Sequence, residues 1–373
     1  MEFTGTRLPA VRAEDLAEMV TAKGPIVTVY LPTPGDVENA AHAAETAWRS
    51  LHRDLEGWGA PEAALTAIEA EVPGAHERGD CLAAVATDRG LLHREHGPKA
   101  PPTALGRVGP IPSVLPILEW RQGSPAYLVV RADRTGADLV AFLPHGNPIA
   151  REVAGTDDPH ITRGSPGGWS QRRYQQRAEN HWEENAEAVA DEVVTLAKRV
   201  GAEIVLVAGD VRAVGFLREH LPAAYAARLH EIEGGRGFGS GAGIDQEAQE
   251  NVRAAVDRET ATVLEAFREE AAQRDLAVEG AANTLQALAR AQVEVALVHD
   301  DLEDDRRAWL GPEATHVSAT RGALEDLGVT PIQEGRLTDV VVRAALGTGA
   351  GIRVIPGEAG VADGIGGVLR WTS

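Results

Sequence analysis

Apolar and polar residues alternate along this chain with two different periods, and the switches between them outline the elements. Ile26-Val27-Thr28-Val29-Tyr30-Leu31 is a continuous apolar run closed by Pro32, which predicts a strand. Ala40, Ala44, Trp48, Leu51 and Leu55 then recur at three- and four-residue steps, one apolar face of a helix. Pro61 opens a second helix with Leu65, Ile68 and Val72 inward, and Cys81-Leu82-Ala83-Ala84-Val85-Ala86 reads as another strand. Between Gly97 and Pro116 stand Pro98, Pro101, Pro102, Pro110, Pro112 and Pro116, so this stretch is expected to be an extended connector. Arg121 to Pro125 is the expected first domain boundary.

Two further strands, Tyr127 to Arg131 and Asp138 to Leu143, flank Asp133-Arg134-Thr135-Gly136 and read as a hairpin. A long polar loop is expected from His145 to Gln171. After it Tyr174, Ala178, Trp182, Ala186, Val189, Val193, Leu196 and Val200 mark a long helix. A strand (Glu203 to Val207), a short helix with Phe216 and Leu217, a flexible glycine loop (Gly234 to Gly243) and a helix from about Asp245 to Arg274 follow. From Val278 on, helices at Thr284 to Ala291, Arg321 to Leu327 and Leu337 to Leu346 mix with strands at Val293 to His299, Thr315 to Ser318, Gly351 to Ile355 and Val368 to Trp371. The pattern predicts a mixed α/β fold in three domains: 1–123, a small α+β unit; 124–276; and 277–373, an α/β layer.

The length of 373 residues suits two or three domains of about 100–200 residues each. Hydrophobic residues make up 43% of the chain and aromatic ones 4%, so the cores should be aliphatic. One cysteine, Cys81, excludes an internal disulfide, and its apolar neighbours mark it as a core residue rather than a nucleophile. There is no apolar run of membrane-spanning length and no secretion-type apolar segment near Met1 to Val20, so a cytoplasmic protein is expected. A net charge of −20 opposes general affinity for nucleic acid, including DNA, and restricts any RNA contact to local basic patches.

One such patch exists. Arg163, Arg172, Arg173 and Arg177 fall within the stretch from His160 to Arg177, which holds no acidic residue. The paired Gly167 and Gly168 permit close approach of another molecule, Trp169 is a large aromatic in a polar loop, and Ser170 leads into the long helix, whose first N–H groups lack partners. Two readings stand side by side: guanidinium–phosphate and ring–base contacts with RNA, or a surface loop whose Trp169 folds back on the core. Other candidates are weaker. Asp133 and Asp210 end strands, where carboxylates could hold magnesium in a nuclease, but no convincing third carboxylate accompanies them. The glycine loop lacks the ending of a phosphate-binding loop. The acidic run Asp300, Asp301, Glu303, Asp304 and Asp305 lacks calcium-loop spacing and reads as a solvated turn. His160, His181, His299 and His316 show no metal-ligand spacing, and no metal or cofactor is expected.

Gly167-Gly168-Trp169-Ser170-Gln171-Arg172-Arg173-Tyr174 resembles the Gly-Gly-Gln-Ser-x-x-Arg-Phe pattern of archaeal and eukaryotic class-1 release factors, where it also precedes a long charged helix. The glycines, Ser170, Arg173 and the aromatic Tyr174 match by position. Gly24 to Pro32 is similar to the family's first strand, and Gly364-Ile365-Gly366-Gly367-Val368-Leu369-Arg370-Trp371 to its terminal strand. More narrowly, the chain resembles an actinobacterial branch that includes Balon-type hibernation factors, relatives of Pelota. The resemblance implies a ribonuclease-H-like middle domain and a ribosomal-protein-like third domain. It also implies binding in the A site of the 70S ribosome, contact with rRNA at the peptidyl-transferase centre, and a partnership with elongation factor Tu. Two departures qualify it. Trp169 replaces the family's hydrolytic glutamine, and no Asn-Ile-Lys-Ser codon-reading loop occurs in residues 1–125. The expectation is therefore occupancy of idle or stalled ribosomes without catalytic residues. A peptidyl-tRNA hydrolase and an adaptor that binds only proteins remain as alternatives.

Overall fold

The structure is a computed structural model. It describes residues 10–371 apart from 12, 18, 35–38, 134–135, 144–147, 155–169, 234–241 and 274, and side chains apart also from 17, 170–184 and 242–247. The chain forms two compact units, one of residues 1–122 with 258–373 and one of residues 123–257.

In the first unit the N-terminal segment runs α1 (Glu14–Ala17), β1 (Ile26–Pro32), α2 (Ala40–Gly57), α3 (Glu62–Glu69), β2 (Cys81–Thr87), β3 (Gly90–Gly97), β4 (Leu105–Gly109) and α4 (Leu115–Gly123). Its sheet is antiparallel in the order β3-β2-β1-β4. Six of the seven residues of β1 and all of β2 are buried, as continuous apolar strands require when both faces are covered. Val27, Val29, Leu31, Leu82 and Ala84 face Trp48, Leu51, Leu55 and Ile68 of α2 and α3. Ile26, Tyr30, Cys81, Ala83 and Val85 belong instead to a core shared with the C-terminal segment.

Two elements here differ from the sequence expectation. The proline-rich connector contains β4, which pairs only with β1 at the sheet edge, where flanking prolines leave no ladder donor missing. It also leads into α4, because Pro116 sits in the first helical turn, where its absent N–H has no partner to lose. Gly97 makes room for this helix: a Cβ there would lie 2.3 Å from the Trp120 ring. Trp120 in turn meets Tyr30 edge-on at 5.7 Å.

The second unit holds β5 (Tyr127–Asp133), β6 (Gly136–Phe142), β7 (Ile149–Ala154), α5 (Ser170–Val200), β8 (Ile204–Gly209), α6 (Val211–His220), α7 (Ala223–Ala226), β9 (Leu229–Glu231) and the first part of α8 (Ala242–Gln273). Its sheet order is β7-β6-β5-β8-β9. The first three strands are antiparallel and the last two run parallel to β5, which is the ribonuclease-H-like arrangement. β7 occupies part of what reads as a polar loop: it is an edge strand with mostly exposed residues and so lacks an apolar signature. The hairpin β5–β6 forms as expected.

The C-terminal segment returns to the first unit with β10 (Ala277–Glu279), α9 (Ala281–Ala289), β11 (Val293–His299), β12 (Arg307–Leu310), β13 (Val317–Ser318), α10 (Arg321–Asp326), β14 (Gln333–Arg336), α11 (Leu337–Gly347), β15 (Gly351–Ile355) and β16 (Ile365–Leu369). Its main sheet is β10-β16-β11-β15, with a small sheet β13-β12-β14 beside it. Residues 337–346 of α11 are all buried, so this helix is enclosed on every side. Polar contacts register the two segments. Ser113, whose carbonyl accepts from the Tyr30 hydroxyl at 2.6 Å, donates from Oγ to Asp339 Oδ1 at 2.9 Å. The Gln122 amide pairs with both the N–H and the C=O of Val354 at 2.9 Å. Val11 bridges Ile352. Arg343 donates to the carbonyls of Gly311, Pro312 and Glu313, which satisfies its buried guanidinium. The fold is thus mixed α/β with several sheets, as the pattern predicts. Among the described residues no helix is long and apolar enough to cross a membrane.

Burial pushes the Asp339 carboxyl up to about 6, against the opposing pull of Arg336 and the Ser113 hydroxyl. Its folded pKa lies above the unfolded value, so its contribution to stability is complete below about pH 4 and is lost as pH rises through about 6. An Asp339→Asn variant, which keeps an acceptor for Ser113, should remove on the order of 3 kcal/mol of that pH dependence, read from urea unfolding at about pH 4 and pH 7. In the second unit Gly209 has φ +153°, and a Cβ there would stand 1.9 Å from the Ala132 carbonyl oxygen of the paired strand. Gly209→Ala should therefore cost about 3 kcal/mol or more in the same measurement, because backbone rather than a flexible side chain must yield.

Candidate nucleic-acid interface

The candidate interface begins where α5 begins. The helix starts at Ser170 and spans 31 residues, a length of about 46 Å. Its C-terminal half is fixed to the middle sheet: Val189, Ala190, Val193, Leu196 and Ala197 pack against Leu128, Val130, Leu139, Val205 and Val207. The other sheet face is closed by Ala248, Val252, Ala255 and Val256 of α8 against Val129, Ile204 and Leu206. Small and β-branched residues on both sides let the helices lie close to the strands. The expected core positions from Val189 onward are thus seated on the sheet.

Of the residues singled out in the sequence, Ser170, Arg172, Arg173 and Arg177 lie in the first turns of α5, and only their backbone is described. Arg163, Gly167, Gly168 and Trp169 lie outside the described residues, as do most of the His145–Gln171 loop and Gly234 to Gly241. His160 also falls outside, and the side chain of His181 is not described. No acidic residue occupies the first turn of α5, while Lys198 and Arg199 stand in its last turn. The N–H groups of that first turn have no intrahelical acceptors, and the helix dipole favours an anion there. The sequence adds two arginines to the same turn, at 172 and 173. These features favour an anion over a cation at this end of the helix.

Of the two carboxylates at the strand ends, Asp210 has a structural role. Asp210 caps α6, its Oδ1 accepting from the Arg212 N–H at 3.0 Å. Asp133 borders a cavity of about 10 Å³ with Asn185, Arg212 and Phe216, room for one water. Among the described residues no group of three or more His, Cys, Asp or Glu is placed to hold a metal ion. Cys81 is buried, and burial pushes its thiol up to about 12, which suits a core residue.

The acidic run at 300–305 is more structured than its composition suggests. Asp301 Oδ1 accepts from the Glu303 N–H, and Asp304 takes both an N–H and the guanidinium of Arg306. Arg336 reaches the carbonyls of Asp301 and Asp304, and Arg107 that of Leu302. Burial pushes the Asp300 carboxyl up, whereas Arg306 holds that of Asp304 down, a distinction that charge patterning does not reveal.

Comparison with known proteins places these features. Residues 126–273, which include the loop and the whole of α5, match the model of bacterial archaeo-eukaryotic release factor family 2. Two Mycobacterium tuberculosis proteins, Rv2629 and MT2704, are 26% identical over 374 residues, covering 97% of this chain and 98% of theirs. Among solved structures, archaeal translation termination factor aRF1 aligns at 17% identity and a TM-score of 0.24, covering 95% of this chain and 96% of its own. Archaeoglobus fulgidus Pelota aligns at 14% identity and 0.30, covering 100% and 99%. S. cerevisiae Dom34, a translation termination-like factor, aligns at 10% identity and 0.38, covering 82% and 77%. These scores are too low to bear on the arrangement of this chain, and the family match rests on the middle segment. Over residues 126–273 the chain is similar to bacterial archaeo-eukaryotic release factor family 2.

Proposed function

We propose that this chain is a translation factor that occupies the A site of idle or stalled 70S ribosomes, in hibernation or rescue, and does not hydrolyse peptidyl-tRNA. The observation that carries the reading is Trp169, which stands in the glutamine position of the release-factor loop within the segment matched to that family. An indole offers one N–H donor and no acceptor oxygen, so it cannot orient a water as an amide does. Its ring also fills the space that such a water needs. What the loop retains is the capacity to bind: Gly167 and Gly168 shape its tip, and Ser170 opens α5. Arg163, Arg172, Arg173 and Arg177 supply charge for rRNA phosphates, and Trp169 a surface for stacking or packing at the peptidyl-transferase centre. Delivery by elongation factor Tu fits the same reading.

A chain of net charge −20 can approach rRNA only where its positive residues are concentrated, and the stretch from His160 to Arg177 is such a place. The same net charge favours a second reading, an adaptor that touches only proteins. The two differ in salt dependence. Four arginine–phosphate contacts should give a log–log slope of roughly −3 for ribosome binding, whereas a protein-only contact has almost none. Co-sedimentation with 70S ribosomes is expected to show binding of the parent with that slope. A Trp169→Ala, Arg172→Ala, Arg173→Ala triple variant should bind at least tenfold more weakly. Binding by the triple variant as tight as the parent's would remove the loop from the mechanism, and salt-independent binding would favour the adaptor.

A further inference from the structure

The chain passes between its two units twice, after Gln122 on the way out and before Arg258 on the way back. Both crossings are fastened to one strand of the first unit. β15 is an edge strand of the C-terminal sheet and pairs there with β11. Alternate residues of such an edge turn their N–H and C=O outward, and when buried these groups need partners from elsewhere. Ile352 finds them in the backbone of Val11, at 2.8 and 2.9 Å. At Val354 a side chain takes that place: Gln122 Nε2 donates to the carbonyl and Gln122 Oε1 accepts from the N–H, both at 2.9 Å. A glutamine amide has a donor side and an acceptor side, so it can stand in for a paired strand at one residue. Arg121, just before it, is tied to Asp15 and Glu95 of the N-terminal segment; Gln122 is the residue that reaches the C-terminal sheet. Gly123 follows, with nothing within 4 Å of where a Cβ would stand.

The return crossing meets the same strand one residue away. Arg353 is 2% exposed, and its Nη2 donates to Glu259 Oε2 of α8 at 3.2 Å. Glu259 is the second residue of the first unit after the return. Beyond it Val263, Leu264 and Phe267 of the same helix pack on Val295, Leu297 and Ile355. A buried guanidinium retains its carboxylate partner, because losing it leaves a desolvated charge. We propose that Arg353 and Val354 of β15 are a clamp on both ends of the middle unit, which holds the two crossings to adjacent residues of one strand through Glu259 and Gln122 and so limits the freedom of residues 123–257 as a body. Two connections fixed side by side leave an inserted unit fewer orientations than two loose ones. The fastening lies wholly within the first unit, so it does not depend on the fold of the residues it restrains. It is also separate from the proposed ribosome contact, which uses none of these residues.

The test uses the full chain with Ser50→Cys and Lys198→Cys, one exposed position in each unit, spin-labelled for pulsed dipolar distance measurement; Cys81 is buried and stays unlabelled. In that background a Gln122→Ala, Glu259→Gln variant is expected to give a distance distribution about twofold broader than the parent's, with amide exchange in α11 unchanged. Gln122→Ala alone should expose the Val354 amide to exchange and leave that of Ile352, held by Val11, as protected as before. Should the double variant unfold, which lost protection in α11 would show, Gln122→Ala carries the test, with a smaller broadening expected. Distributions of equal width in the parent and the folded variant, or a Val354 amide still protected in Gln122→Ala, would each overturn the proposal.

Discussion

The first sheet needs two covers, and the first unit is organised by that need. β1 and β2 are apolar on both faces, so a single layer of helices leaves half of their hydrophobic surface in water. α2 and α3 cover one face. The other joins a core that includes Leu337, Val340 and Val341 of α11, far along the chain. Apolar burial of this kind is worth about 25 cal/mol per Å² and has no direction of its own. Direction comes from the polar contacts set into the seam: Ser113 to Asp339, and the two-ended pairing of Gln122 with Val354. Slippage would leave these groups buried and unpaired, and so the apolar faces have one register.

Much of this was legible in the sequence, and the misses share a cause. β1, β2, β5, β6, β8, β11 and β15 are strong apolar runs, and α2, α3, α9 and α11 follow helical steps, because each buries a face. β3, β7, β12 and β14 carry little apolar signal: they pair through their backbones while exposing many side chains. α4 and β4 were hidden by prolines that the structure places in a first turn and beside an edge strand. An unbroken run such as Cys81–Thr87 announces burial on both faces, but no local pattern says what the second cover is. Within the candidate site, the basic loop and the start of α5 stand out as sequence, since glycines, arginines and a tryptophan rarely gather in so acidic a chain. The raised Asp300 carboxyl did not stand out, because a run of carboxylates looks the same whichever of them burial affects.

The middle unit divides its labour along α5. From Val189 onward the helix is held by aliphatic packing on a ribonuclease-H-like sheet. Toward Ser170 it ends without acidic residues and beside arginines. A rigid helix seated at one end carries its other end as a defined electrostatic feature, and a binding loop on such a support loses less freedom when it engages a partner. The sequence here resembles the release-factor pattern at Gly167, Gly168, Ser170, Arg173 and Tyr174 and has an indole at 169 where that pattern has an amide. Binding and hydrolysis depend on different chemistry, so one substitution can separate them.

Release of labelled peptide from peptidyl-tRNA on ribosomes that carry the bound factor tests that separation most directly. The expected result is a bound factor with release no faster than that of ribosomes alone. Release well above that background by the parent chain, with Trp169 in place, would contradict it and restore a hydrolase whose loop backbone suffices.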